Sequence, residues 1–90
     1  MARSGKITIA TAGTAQRGPD EVCRHVAIKA VAANTGVVYV GNDDAGDVAA
    51  ANGFEIAQTD DHIVLVVNNL LDLWFDAATN GDVICWIKID

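Results

Sequence analysis

The sequence predicts a single all-β domain over residues 1–90, a β-sandwich or small barrel of seven or eight short strands. Valine and isoleucine supply 19 residues, whereas leucine and methionine supply only 5, and β-branched side chains suit the pleated surface of a sheet. Ten of the 12 acidic residues are aspartate, which favours turns. Turn-forming residues interrupt the apolar runs about every ten positions, the spacing typical of sandwiches and barrels.

The first half of the chain contains three predicted strands. Residues 6–10 alternate between apolar and polar side chains with the period of a strand. A loop over residues 13–21 holds the only proline, and residues 22–33 follow as a long alternating strand. Residues 34–36 turn the chain and end in a glycine, which accepts positive φ angles. Residues 37–40 are apolar on both faces, so we expect both sides of this strand to be covered.

The second half contains four more predicted strands, at residues 53–56, 62–67, 70–76 and 83–89. Residues 48–52 fit either a short edge strand or one helical turn. The second of the four strands is apolar on both faces. Asn80-Gly81 is the strongest hairpin signal in the chain, because a type I′ turn needs two residues with positive φ.

The two strands that are apolar on both faces predict a homo-oligomer. A domain of this size buries only about 60–65% of the surface of its extended chain, which leaves a thin stability margin. One sandwich interior covers only one side of residues 37–40 and 63–67. The spare apolar surface is therefore expected to pack on another subunit, with a trimer favoured over a dimer.

Composition argues against several classes of partner and compartment. The net charge of −6 and only five aromatic residues predict no basic, aromatic groove for a nucleic acid. No apolar run approaches the roughly 18 residues that span a bilayer, and the first residues lack the apolar segment of a signal peptide. We therefore expect synthesis in a cytoplasm, with Cys23 and Cys85 as buried thiols rather than a disulfide.

The charges are unevenly distributed along the chain. Residues 1–30 carry five basic and two acidic side chains, whereas residues 31–90 carry one basic and ten acidic ones. Either this gradient is a solvated surface without further meaning, or the basic first third meets an acidic surface on another copy or another protein.

The residues that bind metals in other proteins are present without the usual spacing. His25, His62 and the two cysteines lack the paired spacing of zinc ligands. The loop from Asn42 to Asp47 offers oxygen atoms for calcium, but its glycine and acids do not follow the EF-hand register. We expect a solvated turn there, and no metal or cofactor.

The chain is also not expected to be an enzyme. Asp60-Asp61-His62 brings two carboxylates next to an imidazole, but Ser4 is the only serine and lies near the N-terminus. A nucleophile needs a base within hydrogen-bond reach. No catalytic residues are therefore predicted.

Six residues are candidates for an interface. Arg3 lies in a predicted flexible N-terminal arm (residues 1–5), Lys6 directly follows this arm, and Arg17 lies in the first loop. We expect these three basic side chains to contact an acidic partner. Tyr39, Phe54 and Trp74 are the large aromatic candidates, because such rings add much contact area for little lost entropy.

Five stretches together resemble one group of virion proteins. They are Gly5–Thr8, Asn34–Gly41, Gly53–Ile56, Asn69–Ala77 and Gly81–Lys88. In these stretches the chain resembles the short jelly-roll accessory proteins of tailed bacteriophages, of the head decoration (cement) type. One departure is Gln58-Thr59-Asp60-Asp61, where a Pro-Gly-Glu-like turn is expected.

The resemblance implies a jelly-roll sandwich that assembles as a symmetric oligomer on a phage head, with the major capsid protein as its partner and no catalytic residues. The expected location is the capsid exterior, after assembly in the host cytoplasm. Two alternatives stay open. One is a tail or head-fibre attachment module. The other is a carbohydrate-binding jelly roll, in which Trp74 stacks on a sugar and the 43–47 loop holds calcium.

Overall fold

A computed structural model describes residues 3–42 and 53–89. These residues form two antiparallel four-stranded sheets and one short 3-10 turn at Leu70–Asp72. The strands are β1 (Arg3–Thr8), β2 (Gln16–Arg17), β3 (His25–Ala30), β4 (Val38–Gly41), β5 (Phe54–Ile56), β6 (Ile63–Val66), β7 (Trp74–Ala77) and β8 (Val83–Lys88). The all-β prediction is confirmed. The described part of the chain contains no helix long and apolar enough to cross a membrane.

The strands pair in a nested order. β1 pairs with β8, β2 with β7, β3 with β6 and β4 with β5. Two further pairings, of β3 with β8 and of β4 with β7, join these into a first sheet of order β1-β8-β3-β6 and a second sheet of order β2-β7-β4-β5. A long antiparallel hairpin rolled into two sheets is the jelly-roll topology. The predicted jelly-roll-like sandwich is therefore the observed fold.

The core lies between the two sheets and takes every second side chain of each strand, as the period of a strand requires. The fully buried members from the strands are Val26, Ile28, Ala30, Val38, Ile56, Phe75, Ala77 and Ile84. Trp86 joins them opposite Gly5 on the neighbouring strand. A Cβ at Gly5 would lie 2.9 Å from the Trp86 ring, so glycine leaves the space that the indole fills.

The hairpin predicted at Asn80-Gly81 does not form, because β7 and β8 lie in different sheets and only Gly81 of the pair has positive φ. Several predicted elements also differ from the structure in extent. The strand expected over residues 22–33 is regular only in β3, and the segment expected over residues 70–76 begins with the 3-10 turn. That turn starts at Asn69, whose side chain accepts a hydrogen bond from the Leu71 amide at 2.9 Å. The predicted loop over residues 13–21 contains β2. The edge strand or helical turn expected over residues 48–52 lies outside the described residues.

The two strands predicted to be apolar on both faces have different outcomes. Val38, Tyr39 and Val40 are all buried within a single copy, so β4 needs no second subunit to cover it. In β6, by contrast, Val64 and Val66 remain exposed. The structural argument for a binding surface therefore depends on β6 and not on β4.

The flexible arm expected over residues 1–5 also differs from the structure. Arg3, Ser4 and Gly5 belong to β1 and pair with Lys88, Ile87 and Trp86 of β8. Backbone hydrogen bonds to a neighbouring strand order these residues. Met1 and Ala2 lie outside the described residues.

Candidate binding surface

The first sheet has an apolar outer face, which we define as the side chains pointing away from the second sheet. Val64, Ala27 and Ile87 stand side by side across β6, β3 and β8, according to the strand register. Val66 and Ile89 lie on either side of His25 in the next row, toward the end of the sheet. The exposed fractions are 49% for Val64, 76% for Val66, 47% for Ile87 and 55% for Ile89. Four branched apolar side chains thus face solvent on one side of the domain, and we call Val64, Val66, Ile87 and Ile89 the apolar row.

A row of basic side chains crosses the same outer face next to the apolar row. Cys85 of β8 lies between Lys29 of β3 and Lys6 of β1, each directly opposite it in the register. His62 immediately precedes Ile63, the last residue paired with β3, so it lies beside Lys29. We call Lys6, Lys29 and His62 the basic row.

A shallow groove of about 350 Å³ runs between the apolar and basic rows. Ala27, Lys29, His62, Cys85 and Ile87 line it from the outer face. The Cys85 thiol lies 3.4 Å from the Lys29 carbonyl oxygen, to which it donates a weak hydrogen bond. The groove therefore combines an apolar wall with two basic side chains and a half-buried thiol.

The outer face of the second sheet has a different composition, with carboxylates beside an aromatic ring. Glu55, Tyr39 and Asp76 lie side by side across β5, β4 and β7. Asp76 is buried, and its Oδ1 accepts hydrogen bonds from the Gly13 amide at 3.0 Å and the Ala77 amide at 2.7 Å. Only Glu55 of these two carboxylates is exposed, and Arg17 of β2 lies on the same side of the sheet, over Trp74.

Three of the predicted interface residues are aromatic, and the structure places them apart. Trp74 is half-buried in β7, and Tyr39 is buried in β4. Phe54 is exposed on β5, at the edge of the second sheet. None of the three lies on the outer face of the first sheet.

The three basic candidates are also separated, although they are close in sequence. Arg3 forms an ion pair with Glu21 at 3.5 Å, at the end of the first sheet. Lys6 belongs to the basic row on the outer face. Arg17 lies in the second sheet with its guanidinium carbon 5.7 Å from the centre of the Trp74 ring, and its Nε donates a hydrogen bond to the Leu71 carbonyl oxygen at 2.6 Å. Only Lys6 contributes to the candidate surface.

Sequence reasoning did not select the residues that form the apolar row. The sequence signal for Val64 and Val66 is that their predicted strand is apolar on both faces, so that one set of its side chains is left outside the core. Ile87 and Ile89 alternate with Ile84, Trp86 and Lys88 in a strand whose two faces both hold isoleucine. Alternation alone does not say which of two apolar faces lies inward.

No metal centre is found in the described residues, where no three His, Cys, Asp or Glu side chains are grouped closely enough to hold an ion. The possible calcium loop at Asp43–Asp47 lies outside the described residues. Comparison of the chain with protein-family models, curated proteins and solved structures finds no match in any of the three.

Proposed function

We propose that this chain is a structural virion protein, a capsid decoration protein that binds the outside of a phage head and stabilises contacts between capsid subunits. The observation that carries the proposal is the exposed apolar row on the outer face of a small jelly roll. The five stretches that resemble cement proteins support it, because they include all or part of β1, β4, β5, β7 and β8.

The apolar row supports attachment to another protein on energetic grounds. Complete burial of a valine or isoleucine side chain stabilises a complex by about 1.5–3 kcal/mol. Val64, Val66, Ile87 and Ile89 are each about half exposed or more and lie on one face. Grouped apolar side chains on a monomer surface mark interaction sites more often than scattered ones do.

A decoration protein also needs several weak contacts that act together. Pressure from packaged DNA pulls capsid subunits apart, and a clamp that contacts more than one subunit resists this. We propose a homo-oligomer, with a trimer favoured over a dimer, because each further copy then binds at high effective concentration. Phe54 and Trp74 are the proposed contacts between copies, since both lie away from the outer face of the first sheet.

The same surface would serve a tail or head-fibre module, and the position in the particle separates these two functions. Electron cryo-microscopy of the virion is therefore the test. We expect jelly-roll density on the outer surface of the head, at the seams between capsid subunits. Density confined to the tail or fibres, or a virion that lacks the chain by mass spectrometry, would refute the decoration function.

The carbohydrate-binding alternative has less support from the site. The guanidinium of Arg17 lies over the Trp74 ring, so one face of the indole is already occupied. A sugar would have to use the other face. A glycan array measured with and without calcium tests this alternative directly, and binding that depends on Trp74 would favour it over attachment to a capsid.

A further inference from the structure

We infer that the outer face of the first sheet binds a protein surface that is apolar at its centre and carries carboxylates beside it. The inference rests on the proposed function, in which the chain attaches to a larger assembly, and it adds the contact surface and the chemistry of the partner.

The charges on this face favour an acidic partner. The outward positions of the four strands are Ser4, Lys6, Thr8, His25, Ala27, Lys29, Val64, Val66, Val83, Cys85 and Ile87. They include two lysines and no acidic residue, in a chain with twice as many acidic as basic residues. No carboxylate of the described residues forms a salt bridge with Lys6 or Lys29. The described residues thus supply no countercharge to the basic row, which favours a partner that brings carboxylates to it.

A second copy bound face to face does not satisfy this requirement. A two-fold axis along the strands would bring each basic row against the same row of the other copy, and in any other face-to-face arrangement the outward positions offer no carboxylate to meet it. Like charges that lie opposite each other destabilise such a contact. The favoured occupant is therefore a different surface, whose carboxylates meet Lys6 and Lys29.

A nucleic acid fits the face less well than a protein does. Duplex binding of useful strength needs several phosphate contacts, commonly 6–10, whereas this face offers two lysines. A backbone of phosphates would also leave Val64, Ala27 and Ile87 without apolar contacts. A protein surface satisfies both rows at once.

The size of the face indicates how strongly one copy binds. Four strands about 4.8 Å apart and four outward rows about 6.6 Å apart span roughly 14 Å by 20 Å. This is about a third of the roughly 800 Å² that each partner contributes to a standard interface. One copy should bind weakly, and tight attachment should need several copies that bind together.

Two pairs of variants test the contact surface. Lys6→Glu reverses a charge in the basic row, and Arg24→Glu makes the same change at an exposed residue outside the outward positions. Ile87→Ser removes an apolar side chain from the face, and Val22→Ser does so at an exposed residue outside the outward positions. Ile87→Thr, which keeps a β-branched side chain, serves as a second variant if Ile87→Ser does not fold.

The first measurement uses undecorated, expanded heads of the phage that encodes the chain. We expect Lys6→Glu to raise the Kd at least about fivefold and Ile87→Ser about tenfold, magnitudes typical of one rim charge and one apolar contact. Arg24→Glu and Val22→Ser should bind within twofold of the parent. Equal binding by all five proteins would overturn the inference and leave the proposed function standing.

The second measurement needs no capsid. A chromatography resin that bears carboxylate and phenyl groups presents the chemistry that we assign to the partner, and it should repel a protein of net charge −6. We expect the parent to be retained at low salt and pH 7, and the two face variants to elute earlier than their controls. Such retention without binding to heads would refute the proposed function and support the inference.

Two further outcomes would overturn the inference. Light scattering that shows Lys6→Glu or Ile87→Ser to dissociate an oligomer would make the face a contact between copies. Binding of a 20-base-pair DNA duplex that Lys6→Glu abolishes and Arg24→Glu does not would make it a nucleic-acid site. We expect neither result.

Discussion

The side-chain amide of Asn34 forms hydrogen bonds with both main-chain groups of Val83. Its Nδ2 donates to the Val83 carbonyl oxygen at 2.8 Å, and its Oδ1 accepts from the Val83 amide at 2.8 Å. Asn34 is buried. The Asn34 side chain thus makes the two hydrogen bonds to Val83 that the backbone of a paired strand would otherwise make. These bonds hold the turn after β3 against the start of β8.

Replacing Asn34 by alanine should therefore destabilise the domain strongly. The change leaves the Val83 amide without this partner, whereas the Val83 carbonyl keeps the hydrogen bond from the Val31 amide at 3.2 Å. One unsatisfied group costs about 1–3 kcal/mol, so we expect the free energy of unfolding to fall by about 1–3 kcal/mol in urea titrations. Asn68→Ala is the matched control at an exposed asparagine. Equal effects of the two substitutions would contradict the proposed role of Asn34.

Asp82 holds the same turn from its other side. Its Oδ1 accepts from the Thr35 amide at 3.0 Å, and its Oδ2 accepts from the Gly36 amide at 2.8 Å. Asp82→Asn turns one acceptor into a donor that faces a donor, so we expect a loss of about 1–3 kcal/mol. Asp61→Asn makes the same chemical change at an exposed position. A melting temperature that falls equally in both variants would argue against this clamp.

Gly18→Ala should be more destabilising than Gly5→Ala. A Cβ at Gly18 would overlap the Leu70 carbonyl oxygen, which is part of the backbone, whereas a Cβ at Gly5 would press on the Trp86 side chain. Side chains yield more readily than backbone, and overpacking of this kind costs about 1–3 kcal/mol. Urea titration of both variants measures the difference. Gly5→Ala should also change the tryptophan fluorescence, and an unchanged spectrum would show that the indole does not contact this position.

The two thiols should react at very different rates. Cys23 is buried, whereas Cys85 is partly exposed in the groove of the outer face. An alkylating reagent should modify Cys85 in the folded protein and reach Cys23 only through opening of the structure. Mass spectrometry against time should show two phases, of which Cys85→Ser removes the fast one. Binding of a partner to the outer face should slow the fast phase, and a single phase for both thiols would contradict the structure.

The fold class could be predicted because its signals are local. The alternation of apolar and polar side chains, and the turn-forming residues between strands, can each be read within a few positions of the sequence. These two signals predict seven of the eight strands that the structure describes. The missing strand, β2, has only two residues and lies between a glycine-containing loop and Gly18-Pro19. Its strand conformation comes from pairing with Trp74 and Phe75, more than 50 positions away. Such pairing leaves no local trace in the sequence.

The candidate surface was predictable only in part for the same reason. Apolar residues on both faces of residues 63–67 correctly indicated surplus apolar surface, but the same pattern at β4 is covered within one copy. The prediction that Arg3, Lys6 and Arg17 share one contact surface depends only on their proximity in the sequence. Pairing of β1 with β8 and of β2 with β7 then carries Lys6 and Arg17 to different sheets. Proximity in space depends on strand order, which no single segment encodes.

The nested pairing of the strands has a consequence for the order of events in folding. Among the described strands β1 pairs with β8 alone, so this edge of the first sheet cannot form until Lys88 has been synthesised. Of the pairs between described strands, β4–β5 has the shortest separation in the chain, and it is the natural place for folding to begin. Each outer pair then closes a longer loop. Folds dominated by such distant contacts reach the native state in milliseconds to seconds rather than microseconds, and during that delay the apolar side of β6 is open to other chains.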